Sequence, residues 1–279
     1  PELAKLLKLI ERDADAAFLE THGAALKEHA GSEVYVQALV PVVKAAQEER
    51  GLKPDGVIGP RTVAAIAGVS KAARIDKVLY TLERLRWHPS ELGETRVVIN
   101  AASFNVDFFD KGEPRISMRT VVGRSANQTN FFHDELETVE FNPYWGVPRS
   151  IIVNEMLPKL WRDPSYLDRN GYEVINGQGR KVSSSAVDWG QYGRNVPFSV
   201  RQKPGRRNAL GELKILFPNR HAIYMHDTPS KSLFQRDTRA FSHGCVRLAD
   251  PRAMAAALLD VSVDDVARAI ESGDRSRPT

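Results

Sequence analysis

The candidate chemistry of this chain centres on its single cysteine, Cys245, in the run Ser242-His243-Gly244-Cys245. A lone cysteine is weak evidence, because an unpaired thiol usually behaves as a small buried apolar side chain. Here the flanking residues are polar, and Gly244 leaves the backbone unshielded, so that successive N–H groups can turn toward a bound carbonyl. A nucleophilic thiol also needs a base, and His226 and His243 are the candidates. The pattern therefore predicts a thiol that attacks an acyl carbon.

The spacing upstream of this run is specific, because fifteen residues lie between His226 and Ser242. A histidine at this distance from Ser-His-Gly-Cys resembles the signature of the L,D-transpeptidases, the YkuD-type enzymes that cross-link bacterial peptidoglycan. The resemblance is greatest to the large Gram-negative branch typified by YcbB. It extends through three further runs, which are Arg201–Gly205, Asn208–Gly211 and Ala222–His226.

The resemblance implies a role for each residue of the site. Cys245 would attack the carbonyl of the third stem residue, and a thiol of ordinary pKa, ~8.5, needs a base to do so at neutral pH. His226 is the expected base, with a backbone carbonyl as the partner that sets its tautomer. His243 is the second candidate, and we expect it to shape the pocket or to contact substrate. The N–H groups of Gly244 and Cys245, helped by the Tyr224 hydroxyl, would form the oxyanion site.

Three more residues are expected to bind or orient substrate. Arg247 is suited to a diaminopimelate carboxylate, which a guanidinium binds bidentately. An arginine that lies on the surface without a ligand is an equally good interpretation of this position. Ser242 is expected to orient the turn beside the thiol. Trp145 belongs to the segment 142–148, which in the YcbB-like branch precedes a capping subdomain over the active site.

The same resemblance implies the reaction and the partners. Peptidoglycan stem peptides would be the substrate, with 3-3 cross-links formed between diaminopimelate residues and D-alanine released from a Cys245 thioester. Water could instead hydrolyse that thioester, giving a carboxypeptidase, or another D-amino acid could be exchanged into it. Carbapenem-type inhibitors are expected to acylate the thiol, no metal or organic cofactor is implied, and the expected location is the periplasm of a Gram-negative bacterium.

Other functional classes explain fewer features of the sequence than an L,D-transpeptidase does. A zinc hydrolase would need His226, His243 and Cys245 as ligands, yet no HExxH or CxxC pair supports them and a metal-bound thiolate loses its nucleophilicity. A non-catalytic wall-binding protein would use the N-terminal part and would not require Cys245. A nucleic-acid role has little support, because 39 basic and 35 acidic residues are dispersed and leave a net charge of only +4.

The N-terminal third predicts helices. Apolar residues recur at helical spacing from Leu3 to Phe18, and Gly23 is expected to end that helix. Ser32 is expected to cap a second helical stretch, which Pro41 interrupts or restarts and Gly51 ends. Residues 33–68 resemble the small peptidoglycan-binding module called PG-binding-1, although a helical packing module without a ligand fits them as well. The runs that carry this resemblance are Gln47, Gly51-Leu52 and Asp55–Thr62.

The remaining organisation follows from a change of period. From Thr95 onward, alternation predicts strands near 96–100, 104–108, 116–122 and 137–141, and helical spacing returns at 251–259 and 264–270. Consecutive strands favour an antiparallel or mixed sheet. The predicted class is α+β, with a helical domain at 1–73, a linker helix at 74–93 and a catalytic domain at 94–279, for which the resemblance implies a mostly β-sandwich YkuD fold.

A segment at about 146–200 interrupts the strands. It is too long for an ordinary loop, and its six aromatic residues can bury enough area to make disorder unfavourable. The resemblance implies a capping subdomain that acts as a lid, whereas a packed decoration without a gating role is the alternative. No apolar run approaches a membrane span, and Pro1 stands first without an initiator methionine, so any targeting segment or membrane anchor is expected outside this sequence.

Overall fold

The structure is a computed structural model that describes residues 2–68, 71–273 and 276–278. The chain forms two compact units, Pro1–Glu91 and Leu92–Thr279, each with its own hydrophobic core. The expected outer domain ends, Pro1 and Thr279, lie outside the described residues. No helix in the described ranges combines the length and the apolar character that crossing a membrane requires.

The first unit is helical, as its apolar spacing predicts. One helix was expected up to Gly23, but the structure has two, because the Asp15 carboxylate accepts the N–H of Phe18 at 2.8 Å and caps a new helix. Gly23 is buried inside that second helix. The prediction for Ser32 is also wrong, since its hydroxyl donates to the carbonyl of Val34 and no helix begins there. The helices are α1 (Glu2–Asp13), α2 (Ala16–Glu28), α3 (Val40–Glu49), α4 (Pro60–Ala67) and α5 (Lys71–Arg86).

A buried glutamine organises the segment between α3 and α4. The Gln47 amide donates to Asp55, to the Val57 carbonyl and to Thr62, and its oxygen accepts the N–H of Gly56. These bonds fix the tight turn in which Gly56 has φ +76°. Gln47 is therefore an internal brace of the module and is not exposed for ligand binding.

The second unit mixes strands and helices, which confirms the α+β class. The strands are β1 (Arg96–Asn100), β2 (Asn105–Asp110), β3 (Glu113–Gly123), β4 (Thr138–Phe141), β5 (Trp145–Gly146), β6 (Tyr172–Ile175), β7 (Lys181–Val182), β8 (Ser199–Gln202), β9 (Leu213–Leu216), β10 (Met225–His226), β11 (Ala240–Ser242), β12 (Val246–Leu248) and β13 (Ser276–Pro278). Within the described residues nine of these strands form one connected sheet, in the order β1-β2-β3-β12-β10-β9-β4-β13 with β11 paired to β3.

The core of this unit joins both ends of the sheet to two helices. Val106 of β2 and Phe141 of β4 belong to one buried cluster, together with Met254 of α9 (Pro251–Leu259) and Val266 of α10 (Val263–Glu271). Both helices begin with recognisable local signals, because Pro251 occupies the first turn of α9 and Asp265 completes a capping box with Ser262 in α10. The sheet therefore has a fixed apolar face, and its other face is available for polar residues.

The 146–200 segment is a folded subdomain with its own core. Strands β5, β6, β7 and β8 form a second sheet, and β5 and β8 pair antiparallel, so the segment enters and leaves through neighbouring strands. A helical stretch follows β5, made of α6 (Arg149–Ile151), a π-helical turn (Ile152–Met156) and α7 (Leu157–Leu160), and α8 (Tyr166–Arg169) comes next. Trp189 is 1% exposed at the centre of the cluster. We call this segment the insertion.

Candidate active site

The candidate site is built on two adjacent parallel strands. Met225 of β10 lies opposite Val246 of β12, and both side chains are fully buried in the core. Because side chains alternate between the faces of a strand, the neighbours of these two residues point to the opposite face. That alternation places together four of the predicted site residues, which are Tyr224, His226, Cys245 and Arg247.

The turn before the thiol is held by hydroxyl groups. Ser242 is 2% exposed, its Oγ donates to the Cys245 carbonyl at 2.6 Å, and it accepts the N–H of Gly244 at 3.1 Å. Thr129 Oγ1 donates to the Gly244 carbonyl at 2.7 Å, so the turn is fixed from both sides. Gly244 has φ +120°, in the region that favours glycine.

Two predictions concern the groups of this turn. The expected oxyanion role of the Gly244 N–H needs correction, because that group is bonded to Ser242 in this structure. Ser242 is buried and bonded within the turn, which agrees with the orienting role expected of it. In the described residues no hydrogen bond uses the N–H of Cys245, so this group and the Tyr224 hydroxyl stay candidate oxyanion donors.

Tyr224 contacts the thiol directly. Its carbonyl accepts the N–H of Val246 at 3.0 Å, which aligns it with Cys245, and its hydroxyl lies beside the thiol. Burial raises the pKa of the Tyr224 hydroxyl, and the negative charge of a Cys245 thiolate raises it further, so the hydroxyl keeps its proton. Burial also raises the pKa of the Cys245 thiol, by more than Tyr224 and the charge of Arg247 lower it. The resting thiol is therefore protonated and needs a base.

His226 is buried in an ordered environment. Its Nδ1 contacts the carbonyl oxygen of Asp227, the kind of backbone partner expected from the sequence. The Asp227 carboxylate accepts the N–H of Glu212 at 3.0 Å and pairs with Lys231. A side chain at Gly211, which has φ +61°, would collide with that carboxylate. With Nδ1 as donor, Nε2 of His226 carries the lone pair that a base needs.

The electrostatics keep His226 neutral. Burial, helped by the positive charge of Arg247, lowers its pKa to about 4. Within the described residues no hydrogen bond joins His226 to Cys245, which lies diagonally across the two strands. The resting pair is therefore a neutral thiol and a neutral imidazole.

Arg247 contributes a partly buried positive charge. It lies opposite His226 in the register of β10 and β12, and burial lowers the pKa of its guanidinium. Its Nε is buried and has no hydrogen-bond partner in the part of the chain that the structure describes. A guanidinium with an unused donor beside the thiol is suited to an anionic substrate group.

His243 is placed differently from His226. It is exposed, and its Nε2 lies 2.8 Å from Oε1 of Glu155 in the insertion and 3.2 Å from a guanidinium nitrogen of Arg124. The insertion therefore contacts the loop that carries the cysteine.

The sequence profile of one family, the YkuD L,D-transpeptidase catalytic domain, matches residues 94–266. The chain belongs to this family. A curated relative from Haemophilus influenzae, named "Putative L,D-transpeptidase", is 34% identical over 191 residues, which is 68% of this chain and 38% of the relative. The chain thus spans less than half the length of that relative. A solved L,D-transpeptidase from Mycobacterium smegmatis has 16% identity and a TM-score of 0.32 over 61% of this chain and 55% of that one.

Several residues that position the YkuD site were not singled out from the sequence. Thr129 fixes the Gly244 carbonyl although it lies more than a hundred residues away in the sequence. Asp227 directly follows His226, so this pair of polar residues could have indicated that Asp227 helps to position the histidine. Glu155 of the insertion carried no motif that could have identified it.

The structure gives the location of the remaining predicted site residues of the YkuD domain but does not test their roles. Trp145 is half-buried against the core of the insertion, with its ring 6.3 Å from that of Tyr172, and its contact with substrate stays a prediction. The zinc ligands considered above, His226, His243 and Cys245, do not form a metal-binding group among the residues that the structure describes.

The buried histidine predicts a pH dependence of stability. The pKa of His226 is about 4 in the folded YkuD domain and 6.5 when unperturbed, so between these values the unfolded chain binds more protons and stability falls as pH falls. We expect roughly 2 kcal/mol of stability from this group to be lost between pH 7 and pH 5. Urea unfolding at both pH values measures it. His226→Gln should lose less stability over this range, and equal losses would contradict the buried neutral state.

Proposed function

We propose that this chain is a peptidoglycan L,D-transpeptidase that forms 3-3 cross-links between diaminopimelate residues through a thioester on Cys245. The observation that carries the proposal is the shared face of β10 and β12, which presents a thiol, a neutral imidazole, a hydroxyl donor and a guanidinium together. Family membership supplies the class of reaction.

The geometry supports the acylation step as follows. The proton of Cys245 passes to Nε2 of His226 while the sulfur bonds to the carbonyl carbon of the third stem residue. The carbonyl oxygen becomes an oxyanion, and the Tyr224 hydroxyl and the Cys245 N–H are the donors available to it. The bond to D-alanine then breaks, its nitrogen takes the proton from His226, and D-alanine leaves. The donor stem remains as a thioester.

The second half transfers the donor to an amine. The side-chain amine of an acceptor diaminopimelate attacks the thioester carbon, the carbon–sulfur bond breaks, and the amine loses a proton to a base. Arg247 would hold a diaminopimelate carboxylate, because its buried Nε has an unused donor capacity in the described structure. Water in place of the amine would give carboxypeptidase activity, and a D-amino acid would give exchange.

The setting of this reaction is also proposed. The resemblance to the YcbB-like branch favours the periplasm of a Gram-negative bacterium as the location, and carbapenem-type inhibitors would acylate the same thiol. The module at 33–68 would hold peptidoglycan or serve as scaffold, and the internally bonded Gln47 favours a structural part for that residue.

Intact mass spectrometry tests the proposal. A tetrapeptide stem that ends in diaminopimelate and D-alanine should add the mass of the acylated tripeptide to Cys245 and release one D-alanine. An added acceptor stem should then remove the adduct and yield the cross-linked dimer. A carbapenem should form a stable adduct on the same residue. Absence of any adduct from a folded enzyme would contradict the proposal, and release of free tripeptide without dimer would identify a carboxypeptidase.

A further inference from the structure

The contact between the insertion and the catalytic loop involves two competing partners of one nitrogen. Nε2 of His243 lies 2.8 Å from the Glu155 carboxylate, which comes from the insertion, and 3.2 Å from the Arg124 guanidinium, which comes from the sheet. Arg124 follows β3, and its backbone N–H donates to the Ser242 carbonyl at 3.0 Å, so it is attached to the catalytic turn. Glu155 and Arg124 thus approach the same atom from different parts of the domain.

These two partners require opposite states of that nitrogen. A carboxylate only accepts hydrogen bonds, so the contact with Glu155 requires a proton on Nε2. A guanidinium only donates, so the contact with Arg124 requires a lone pair there. In a neutral imidazole the second nitrogen takes the opposite role. The partner that holds Nε2 therefore decides whether Nδ1 of His243 is a base or a donor.

The position of Glu155 depends on the folded insertion. Glu155 lies in the π-helical turn Ile152–Met156, a feature found often at functional sites. Ile152 and Met156 of that turn are buried in the insertion core, and Glu155 between them is exposed. Packing of the insertion thereby directs the carboxylate toward His243.

We propose that Glu155 is a positioning residue for the acceptor half of the reaction. It fixes the proton of His243 on Nε2 and leaves Nδ1 as the base that takes the proton of the attacking amine. When the insertion moves away, Arg124 donates a hydrogen bond to Nε2 and the proton of the ring shifts to Nδ1. The ring then cannot take a proton from the attacking amine at Nδ1. This inference rests on the proposed transpeptidase function, and it names the residue through which the insertion selects aminolysis.

The proton balance of this step is complete. The amine nitrogen bonds to the thioester carbon, the carbon–sulfur bond breaks, and the electron pair leaves on Cys245. The proton lost by the nitrogen goes to Nδ1 of His243, and the resulting imidazolium is paired with the Glu155 carboxylate. Return of that proton to the thiolate restores the resting enzyme. His226 serves the first half, because it is buried, whereas His243 is exposed and can be reached by an arriving acceptor.

Single-turnover kinetics of the acyl-enzyme test this assignment. The Cys245 thioester is formed from the tetrapeptide donor, and its decay is followed with an acceptor stem and with water alone. We expect Glu155→Ala to slow aminolysis by roughly 10–100-fold while the rate of acylation changes by less than about 3-fold. Glu155→Gln keeps an acceptor oxygen and should recover part of the loss. Glu135→Ala, which removes another exposed carboxylate of the same unit, is the matched control and should behave as the parent enzyme.

A double variant separates the tautomer from a merely structural role. Without either partner the ring is free to adopt both tautomers, so Glu155→Ala with Arg124→Ala should aminolyse several-fold faster than Glu155→Ala alone. A structural contact would instead give losses that add. Nitrogen-15 NMR of the imidazole, assigned with His243→Gln, reports which nitrogen of the neutral ring carries the proton. That nitrogen should be Nε2 in the parent enzyme and Nδ1 in Glu155→Ala.

The outcomes distinguish this inference from the function on which it rests. Unchanged aminolysis in Glu155→Ala, equal losses of acylation and aminolysis, or additive losses in the double variant would each overturn the role of Glu155. Failure of the parent enzyme to acylate would overturn the proposed function itself, and the inference with it.

Discussion

Cys245→Ala should abolish acylation, cross-linking and D-alanine release together, because no other thiol exists in the chain to form the thioester. The fold should survive, since the side chain is only half-buried and the Ser242 bond uses its backbone carbonyl and not its sulfur. We expect the free energy of unfolding to change by less than about 1 kcal/mol. Intact mass spectrometry and urea unfolding measure the two effects.

A serine variant makes this prediction sharper. Cys245→Ser keeps a polar group of similar size beside Tyr224, but a hydroxyl is far harder to ionise than a thiol, so acylation by the tetrapeptide should remain undetectable. A tetrapeptide adduct elsewhere on the chain, or cross-linking by the alanine variant above trace level, would show that the cysteine is not the nucleophile.

His226→Gln should slow acylation by roughly 10²–10⁴-fold, the range expected when a positioned general base is removed. Glutamine can still donate to the Asp227 carbonyl, so the local chain should keep its place while the basic nitrogen is lost. Single-turnover acylation by the tetrapeptide measures the rate, with thermal unfolding as the check on folding.

His243→Gln is the comparison for this variant. It replaces an exposed ring whose contacts are with Glu155 and Arg124, so acylation should fall much less than in His226→Gln. A larger acylation loss at His243 would reverse the assignment of the two histidines, and it would also remove the division between the two halves of the reaction.

Local signals in the sequence were sufficient for much of the fold. The strand at 96–100 and the helix at 251–259 appear with the predicted bounds, because alternation and a proline at the first turn are local properties. Strand β2 begins later than predicted, since Phe104 has φ +58° and belongs to the preceding turn. The first helix was misjudged because an apolar spacing continues across Asp15, and only the side-chain bond to Phe18 reveals the break.

The sequence by itself determined the family and singled out the candidate reactive group, because a thiol, a glycine and two histidines at fixed spacing are encoded over one short stretch. Tertiary structure decided the surroundings of these groups. The Gly244 N–H is occupied by Ser242, the buried His226 is neutral, and Glu155 reaches His243 across 88 positions of sequence. Burial and long-range contacts depend on how distant segments pack, and no local pattern of residues specifies which polar atoms that packing brings together.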